Sequence, residues 1–344
     1  MANPKLKFYF REPTIDTNIP ITDGSVKIDG FDWEFVPDEN QCDAWDCGFA
    51  ARVRAYAKEE PHISIPAFPN RKFRLAYIFV NSKAGIETAK DLEGRRVGIM
   101  QWDNTAGVWA RGALQHYYGV DLKRIDWLAA RVKKDGVADG IRIEPIAGDG
   151  DADHRLDNLL IAGKIDAVIG PNLLPSISAR DPRTRRLFRD YRSEEQNYFK
   201  KTGIFPTSHI VTLKQEFVDR HPGAPVALLK AFRRSRDIAF ERLEGSDPQV
   251  IAYSWIACRC RATGADGREL LGLQHREQSK SVGSDDPVRA RAGIVADADR
   301  LHGVFSCGSC EVGGGVTGHV CGVRVSTSLF GCDSTVGATG GRLS

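Results

Sequence analysis

The sequence predicts an α/β protein with two lobes. Its 344 residues are enough for two domains, or for one domain with two lobes. Apolar residues make up 42% and charged residues 27%, which is the balance of a globular protein with a core. Up to about residue 257, apolar strands alternate with amphipathic helices, and this alternation is typical of a mostly parallel sheet covered by helices.

The hydrophobic pattern predicts the individual elements and the lobe boundaries. The predicted strands are 5–10, 31–36, 73–80, 96–100, 165–170 and 209–213, and the predicted helices are 44–57, 105–118, 155–162 and 224–243. We expect residues 1–95 and 207–257 to form the first lobe and residues 96–206 the second. Ligands of such folds bind at the carboxyl ends of strands.

Composition and charge exclude several classes of partner. Lys and Arg number 48 against 45 for Asp and Glu, so the net charge of +3 argues against a general nucleic-acid binder. No run reaches the roughly 18 apolar residues of a membrane span. The first residues, MANPKLKFYF, contain no apolar signal region, so a cytoplasmic location and free thiols for the eight cysteines are expected. The sequence leaves open whether the protein forms a homo-oligomer.

The segment RVGIMQWDNTAGVWARG, residues 96–112, predicts an anion site. A strand runs through a polar loop into a helix, and the first turn of a helix offers unbonded N–H groups and a partial positive charge. Thr105 would add a hydroxyl group, and Trp102 a ring that stacks on a ligand. The alternative is that Asp103 or Asn104 only caps the helix and that Trp102 belongs to the core.

Four arginines are candidate contacts for a carboxylate, because the planar guanidinium group binds carboxylates bidentately. Arg71 and Arg74 lie in the rigid loop IPAFPNRKFR. Arg11 follows the first strand, and Arg111 lies on the helix after Thr105. The alternatives are solvated surface charges for the loop arginines and an acidic structural partner for Arg111.

The segment TGIFPTSH, residues 202–209, supplies the candidate catalytic residue. His209 begins a predicted strand, and histidine is a natural general acid or base, although a structural histidine is the alternative. Asp46, near the start of the predicted helix 44–57, is the alternative acid, and Thr207 is a candidate substrate contact. No nucleotide-binding or zinc-protease motif is present, so neither cofactor nor metal is expected.

Several unusual stretches resemble one family when they are taken together. IPAFPNRKFR, IFVNSKAGI, DLEGRRVGI, TAGVWARGALQHYYGV, KIDAVIG, RRLFRDYR and YFKKTGIFPTSHIV follow the order and spacing of the 4,5-dihydroxyphthalate decarboxylase family. The resemblance covers residues from about 5 to 255. It implies a type II periplasmic-binding-protein-like fold, in which a hinge joins two α/β lobes and the ligand lies in the cleft between them.

The resemblance implies decarboxylation of a dihydroxylated phthalate to protocatechuate. We expect His209 to act as the acid, with Asp46 as its alternative, and Arg71, Arg74 and Thr105 to anchor a carboxylate. The family tends to carry Asp-Arg-Thr after the first strand, where this chain has REPTIDT, so a related aromatic acid remains open as the substrate. The alternative function is a non-catalytic binding protein for a small aromatic carboxylate.

The chain changes character near Ala257. Six of the eight cysteines follow this residue, whereas all six tryptophans precede it. The Cys, His and Gly pattern of 258–344 lacks the regular spacing of a zinc finger. Read one base later, one allowed set of codons for 264–279 encodes a peptide that resembles the family's C-terminal helical region. We therefore hypothesise a shifted reading frame, an aberrant tail that does not fold, and uncertain activity for this chain.

Overall fold

The computed structural model describes residues 2–131, 137, 139–244, 305–306 and 324–325. Two compact units divide these residues: the first contains those up to Phe73 and those from Glu195 to Glu244, and the second contains those in Arg74–Glu194 together with 305–306 and 324–325. The predicted α/β class with two parts is confirmed. The hypothesis about the tail 258–344 lies outside the described residues, except for four residues that form two short paired strands.

Both units contain strands and helices in the part of the chain that the structure describes. The strands are β1 Lys5–Tyr9, β2 Asp32–Phe35, β3 Ala44–Gly48, β4 His62–Ile65, β5 Ile78–Asn81, β6 Arg96–Ile99, β7 Asp126–Ala129, β8 Ile143–Pro145, β9 Ala167–Ile169, β10 Thr184–Arg186, β11 His209–Lys214, β12 Phe305–Ser306 and β13 Arg324–Val325. The helices are α1 Ile19–Thr22, α2 Phe49–Ala57, α3 Thr105–His116, α4 Ala152–Ile161, α5 Pro175–Ser178, α6 Tyr191–Thr202, α7 Gln215–Arg220 and α8 Ala224–Glu244.

The first unit is built on a five-stranded sheet with the order β2-β1-β3-β11-β4. Strands β2, β1 and β3 are parallel, whereas β11 is antiparallel to both β3 and β4. Alternate side chains of β1 and β11 pack with α8 in one core, which includes Leu6, Phe8, Val211, Leu213 and Phe232. The candidate catalytic residues lie on this same face of the sheet, near the end where β1 and β3 finish.

The second unit is built on a six-stranded sheet with the order β10-β5-β9-β6-β7-β8. The strands from β9 to β8 are parallel, but β5 is antiparallel to both of its neighbours. Both sheets are therefore mixed, but the strands of each run mostly in one direction, as the sequence predicted. The strands that reverse direction are β5 and β11, each of which follows a passage of the chain from one unit to the other.

The chain passes between the two compact units at other positions than the predicted lobe boundaries near residues 95 and 206, which stay predictions. The passages lie between Phe73 and Arg74 and between Glu194 and Glu195. The first passage comes earlier than predicted because β5 pairs with β9 and β10 of the second unit. The second lies inside α6, a helix that the sequence pattern did not predict.

The predicted helix 44–57 is a strand followed by a helix. Residues Ala44–Gly48 form β3, and α2 begins only at Phe49. All side chains from Ala44 to Cys47 are buried, which means that both faces of β3 are covered, so the sequence lacks the alternation of a half-exposed strand. Asp46 therefore lies on a central strand and does not open a helix.

Within the described residues, no helix has the length and apolar character needed to cross a bilayer.

Gly98 is expected to be intolerant of a side chain. An added Cβ atom would lie 2.7 Å from Leu156 Cδ2 and 2.8 Å from Ile165 Cδ1, and both of these side chains are fully buried. We predict that Gly98→Ala lowers the free energy of unfolding by about 1–3 kcal/mol in urea titrations, because the core of the second unit must shift. Gly223→Ala, where the added atom meets open space, is the matched control. Equal stability of both variants would contradict the prediction.

Candidate active site

Asp46 and His209 lie on the neighbouring interior strands β3 and β11 of the first sheet. Ala44 on β3 and Val211 on β11 belong to the core beneath α8, and side chains two residues apart share a face of a strand. Asp46 and His209 therefore face the same side. Val211 is the register partner of Asp46, which makes His209 its diagonal neighbour.

The carboxylate of Asp46 is fully buried and has two partners. The backbone N–H of Arg11 donates to Oδ1, and His209 Nδ1 lies 3.1 Å from Oδ2. His209 is 9% exposed. Its other ring nitrogen, Nε2, makes no hydrogen bond to any residue that the structure describes.

The pair has the arrangement of an oriented general acid–base group. A buried ionised carboxylate accepts hydrogen bonds only, so it favours a proton on His209 Nδ1. Nε2 is then the ring nitrogen that lacks a hydrogen-bond partner among the described residues. The predicted alternatives for the acid, His209 and Asp46, are thus brought together as one unit.

The remaining candidates of the first unit occupy different settings. The Arg11 guanidinium forms an exposed ion pair with Glu39. Thr207 is buried and forms an isolated antiparallel bridge with Arg71. The Arg71 guanidinium lies 5.4 Å from the ring centre of Phe68 and 5.2 Å from that of Phe205. Arg71 thus stacks on rings of its own unit.

Arg71 lines a cavity of about 410 Å³ whose other wall is α8. Arg233 and Arg236 of α8 line this cavity, together with Phe232 and Phe240 of the same helix. Sequence reasoning missed both of these arginines. The signal that would have found them is their spacing, because they share a helical face with two apolar rings.

Cys42 and Cys47 are buried free thiols near the same sheet. Burial raises the pKa of Cys42 to about 11 and also raises that of Cys47. Because a thiolate is the reactive form, neither cysteine is suited to act as a nucleophile at neutral pH.

In the second unit, α3 begins at Thr105 as predicted. Asn104 is the N-cap, and its side chain accepts the N–H of Gly107. The capping alternative is therefore correct for Asn104, whereas Asp103 is buried and accepts from Gln101. Gly107 has no room for a Cβ atom, which would lie 2.8 Å from both Asn104 Oδ1 and Arg111 Nη1.

Trp102 and Arg111 form a buried stack behind this helix start. The Arg111 guanidinium carbon lies 3.8 Å from the Trp102 ring centre, and Arg111 Nη2 donates to the Trp102 carbonyl. Burial lowers the pKa of Arg111 to about 9, while the charge of Asp103 acts in the opposite direction. Arg111, at 4% exposure, holds the loop before α3. Trp102 packs edge-on against Trp127 in the core.

Arg74 is buried in the second unit, three residues after Arg71 in the first. Its Nη1 donates to the Pro171 carbonyl over 3.3 Å, and its guanidinium carbon lies 5.6 Å from the Tyr77 ring centre. It is therefore not the solvated surface charge of the alternative interpretation.

Two curated relatives carry the same name. The chain is 29% identical over 289 residues to a 4,5-dihydroxyphthalate decarboxylase of Comamonas testosteroni, a match that covers 78% of this chain and 85% of that protein. A 4,5-dihydroxyphthalate decarboxylase of Pseudomonas putida is 29% identical over 197 residues, covering 53% and 76%. The chain is thus similar in sequence to two proteins named 4,5-dihydroxyphthalate decarboxylase. No protein-family model matches it.

The solved structures that align with this chain include solute-binding proteins. The periplasmic aliphatic sulphonate binding protein SsuA of Escherichia coli is 14% identical with a TM-score of 0.48, covering 85% of this chain and 98% of SsuA. The desulfurization enzyme DSZB is 15% identical with a TM-score of 0.39, covering 74% and 80%. Identities and TM-scores this low do not indicate a function, and the hinge and the cleft stay predictions.

We predict that Arg111→Lys lowers the free energy of unfolding by about 1–3 kcal/mol, because an ammonium group cannot both stack on Trp102 and donate to its carbonyl. Urea titration followed by tryptophan fluorescence measures the change. Arg192→Lys, an exposed change in the same unit, should shift stability by less than about 0.5 kcal/mol. Equal effects of the two changes would refute the supporting role of Arg111.

Proposed function

We propose that the chain is a carboxy-lyase that removes carbon dioxide from a dihydroxylated aromatic dicarboxylate without oxidation. The proposed reaction converts 4,5-dihydroxyphthalate to protocatechuate in the degradation of aromatic compounds, in a cytoplasmic setting. The observation that carries the proposal is the His209–Asp46 pair, found in a chain whose curated relatives are named for this activity.

The chemistry requires one proton at a ring carbon. A hydroxyl group para to a carboxylate donates electron density into the ring, so the carbon that bears the carboxylate accepts a proton. The carbon–carbon bond to the carboxylate then breaks, its electron pair returns to the ring, and carbon dioxide leaves. The products together hold one proton more than the substrate, which an acid must supply.

His209 is the proposed acid. Its Nε2 delivers the proton, and the imidazole is protonated again from solvent after each turnover. Asp46 keeps the other nitrogen protonated and stabilises the positive charge while His209 carries both protons. The Arg11 N–H keeps this buried carboxylate satisfied in both states.

Each unit carries its own candidate substrate contacts. Arg11 and Thr207 are the candidates in the first unit. In the second unit, Arg74 and the helix start at Thr105 are the candidates for a carboxylate. Trp102 and Arg111 are proposed to support substrate binding indirectly, by holding the loop before α3 in place.

Non-catalytic binding of a small aromatic carboxylate is the competing function, because a binding protein and a decarboxylase would both need an anion site. The two functions differ in whether the ligand is consumed. An enzyme releases carbon dioxide from the ligand, whereas a binding protein returns the ligand unchanged, so gas release separates them.

We predict that the purified chain releases carbon dioxide from 4,5-dihydroxyphthalate. His209→Ala should lower kcat by about 100-fold or more while Kd changes by less than about threefold, because the proton donor acts mainly in the transition state. His116→Ala, an exposed change on α3, is the control and should leave turnover unchanged.

Stoichiometric binding of 4,5-dihydroxyphthalate with no gas release would favour the binding-protein alternative. Full activity of His209→Ala would remove His209 from the mechanism and leave Asp46 as the remaining candidate acid.

A further inference from the structure

Asp46 and His209 belong to a closed circuit of five residues in the first unit. Asp46 Oδ2 lies 3.1 Å from His209 Nδ1, and the backbone N–H of His209 donates to the Asn70 carbonyl over 3.2 Å. Asn70 Nδ2 donates to Glu12 Oε2 over 2.6 Å. Glu12 follows Arg11 in the chain, and the Arg11 N–H donates to Asp46 Oδ1, which closes the circuit.

The hydrogen bond between Asn70 and Glu12 is the link of this circuit that joins two side chains outside the catalytic pair. The links made by Arg11 and by the His209 N–H use backbone groups, which a side-chain substitution leaves in place. We propose that Glu12 and Asn70 are positioning residues, which set the geometry between His209 and Asp46 through their hydrogen bond. This inference rests on the proposed role of the His209–Asp46 pair.

The Asn70–Glu12 bond joins two loops that are distant in sequence. Asn70 is only 5% exposed, and its partner lies 58 residues away. An ionised carboxylate only accepts hydrogen bonds, so Asn70 presents its NH₂ group to Glu12. A bond to a charged group is stronger than one between neutral groups, and it therefore fixes the two loops to each other.

On one side of this bond, the backbone of Asn70 holds the start of β11. The Asn70 carbonyl accepts the N–H groups of both Ser208 and His209, over 2.8 and 3.2 Å. Two residues further along the loop, the Lys72 N–H donates to the Pro206 carbonyl over 3.1 Å. A displacement of Asn70 therefore displaces the backbone that carries the His209 imidazole.

On the other side, Glu12 is tied to the group that satisfies the buried carboxylate. Its carbonyl accepts Nδ2 of the fully buried Asn18 over 3.0 Å, and its neighbour Arg11 supplies the N–H bound to Asp46. The Glu12 side chain thus connects the support of Asp46 to that of His209. A misplacement of about 1 Å between reacting groups can lower a rate about 100-fold, so such a connection affects turnover.

Glu12 variants test this role, because Glu12 is only half-buried and its replacement leaves the core intact. Glu12→Ala should lower kcat for carbon dioxide release from 4,5-dihydroxyphthalate by about tenfold and change KM by less than about threefold. Glu12→Gln keeps an oxygen that accepts from Asn70, so its kcat should stay within about threefold of wild type. Glu34→Ala, which removes a carboxylate paired with Lys5 in the same unit, is the control and should leave kcat unchanged.

A double-mutant cycle tests whether the hydrogen bond itself is responsible. Asn70→Ala should lower kcat about as much as Glu12→Ala, because each change removes the same bond. The double variant should then lose no more than either single variant. Losses that multiply in the double variant would show that the two residues act independently and would overturn the proposal.

The tautomer of His209 gives a second readout that does not require turnover. At a pH where the imidazole is neutral, ¹⁵N NMR of histidine-labelled protein should show a protonated Nδ1 and an unprotonated Nε2, assigned by their absence in His209→Ala. Glu12→Ala should mix the two tautomers and bring the two ¹⁵N shifts closer together, because Asp46 no longer holds Nδ1 in place. Glu12→Gln should retain the wild-type pattern.

The positioning role is overturned if the His209 tautomer in Glu12→Ala is that of wild type, or if Glu12→Gln loses as much kcat as Glu12→Ala. A rise in KM that accounts for the whole effect would also overturn it. If wild-type protein releases no carbon dioxide but Glu12→Ala still mixes the tautomers, the proposed decarboxylase activity fails and the positioning role stands.

Discussion

The buried carboxylate of Asp46 is the constraint on which the candidate site depends. A carboxylate with no exposed surface requires partners, and removing one partner of a buried charge typically costs about 3–5 kcal/mol. Three strands meet this requirement: β3 carries Asp46, the chain just after β1 supplies the Arg11 N–H, and β11 supplies His209. The antiparallel entry of β11 brings His209 to the edge where β1 and β3 end, so the sheet order positions the proposed acid.

Arginines elsewhere are used in two physically different ways. Arg111 is buried and donates to a backbone carbonyl, which makes it a support of the second unit. Arg71, Arg233 and Arg236 line a cavity together with aromatic rings. The same type of side chain thus stabilises a loop where it is enclosed and lines a cavity where it borders a space.

Local pattern predicted the elements with clear periodicity, such as the strands that begin at Lys5 and Arg96 and the long helix α8. It failed for β3, since a strand buried on both faces has no alternation to detect. His209 and Asp46 were both selected from the sequence, but their contact depends on pairing between strands 163 residues apart. Likewise, Arg71 and Arg74 are close in sequence, but the passage between units separates them.

The most direct measurement is the fate of the ring carbon in heavy water. If His209 protonates the carbon that loses its carboxylate, 4,5-dihydroxyphthalate incubated with the chain in D₂O yields protocatechuate with one deuterium at that carbon, together with one equivalent of carbon dioxide. Mass spectrometry and proton NMR would locate the label. Recovery of the dicarboxylate unchanged from its complex with the protein would contradict catalysis at the His209–Asp46 pair.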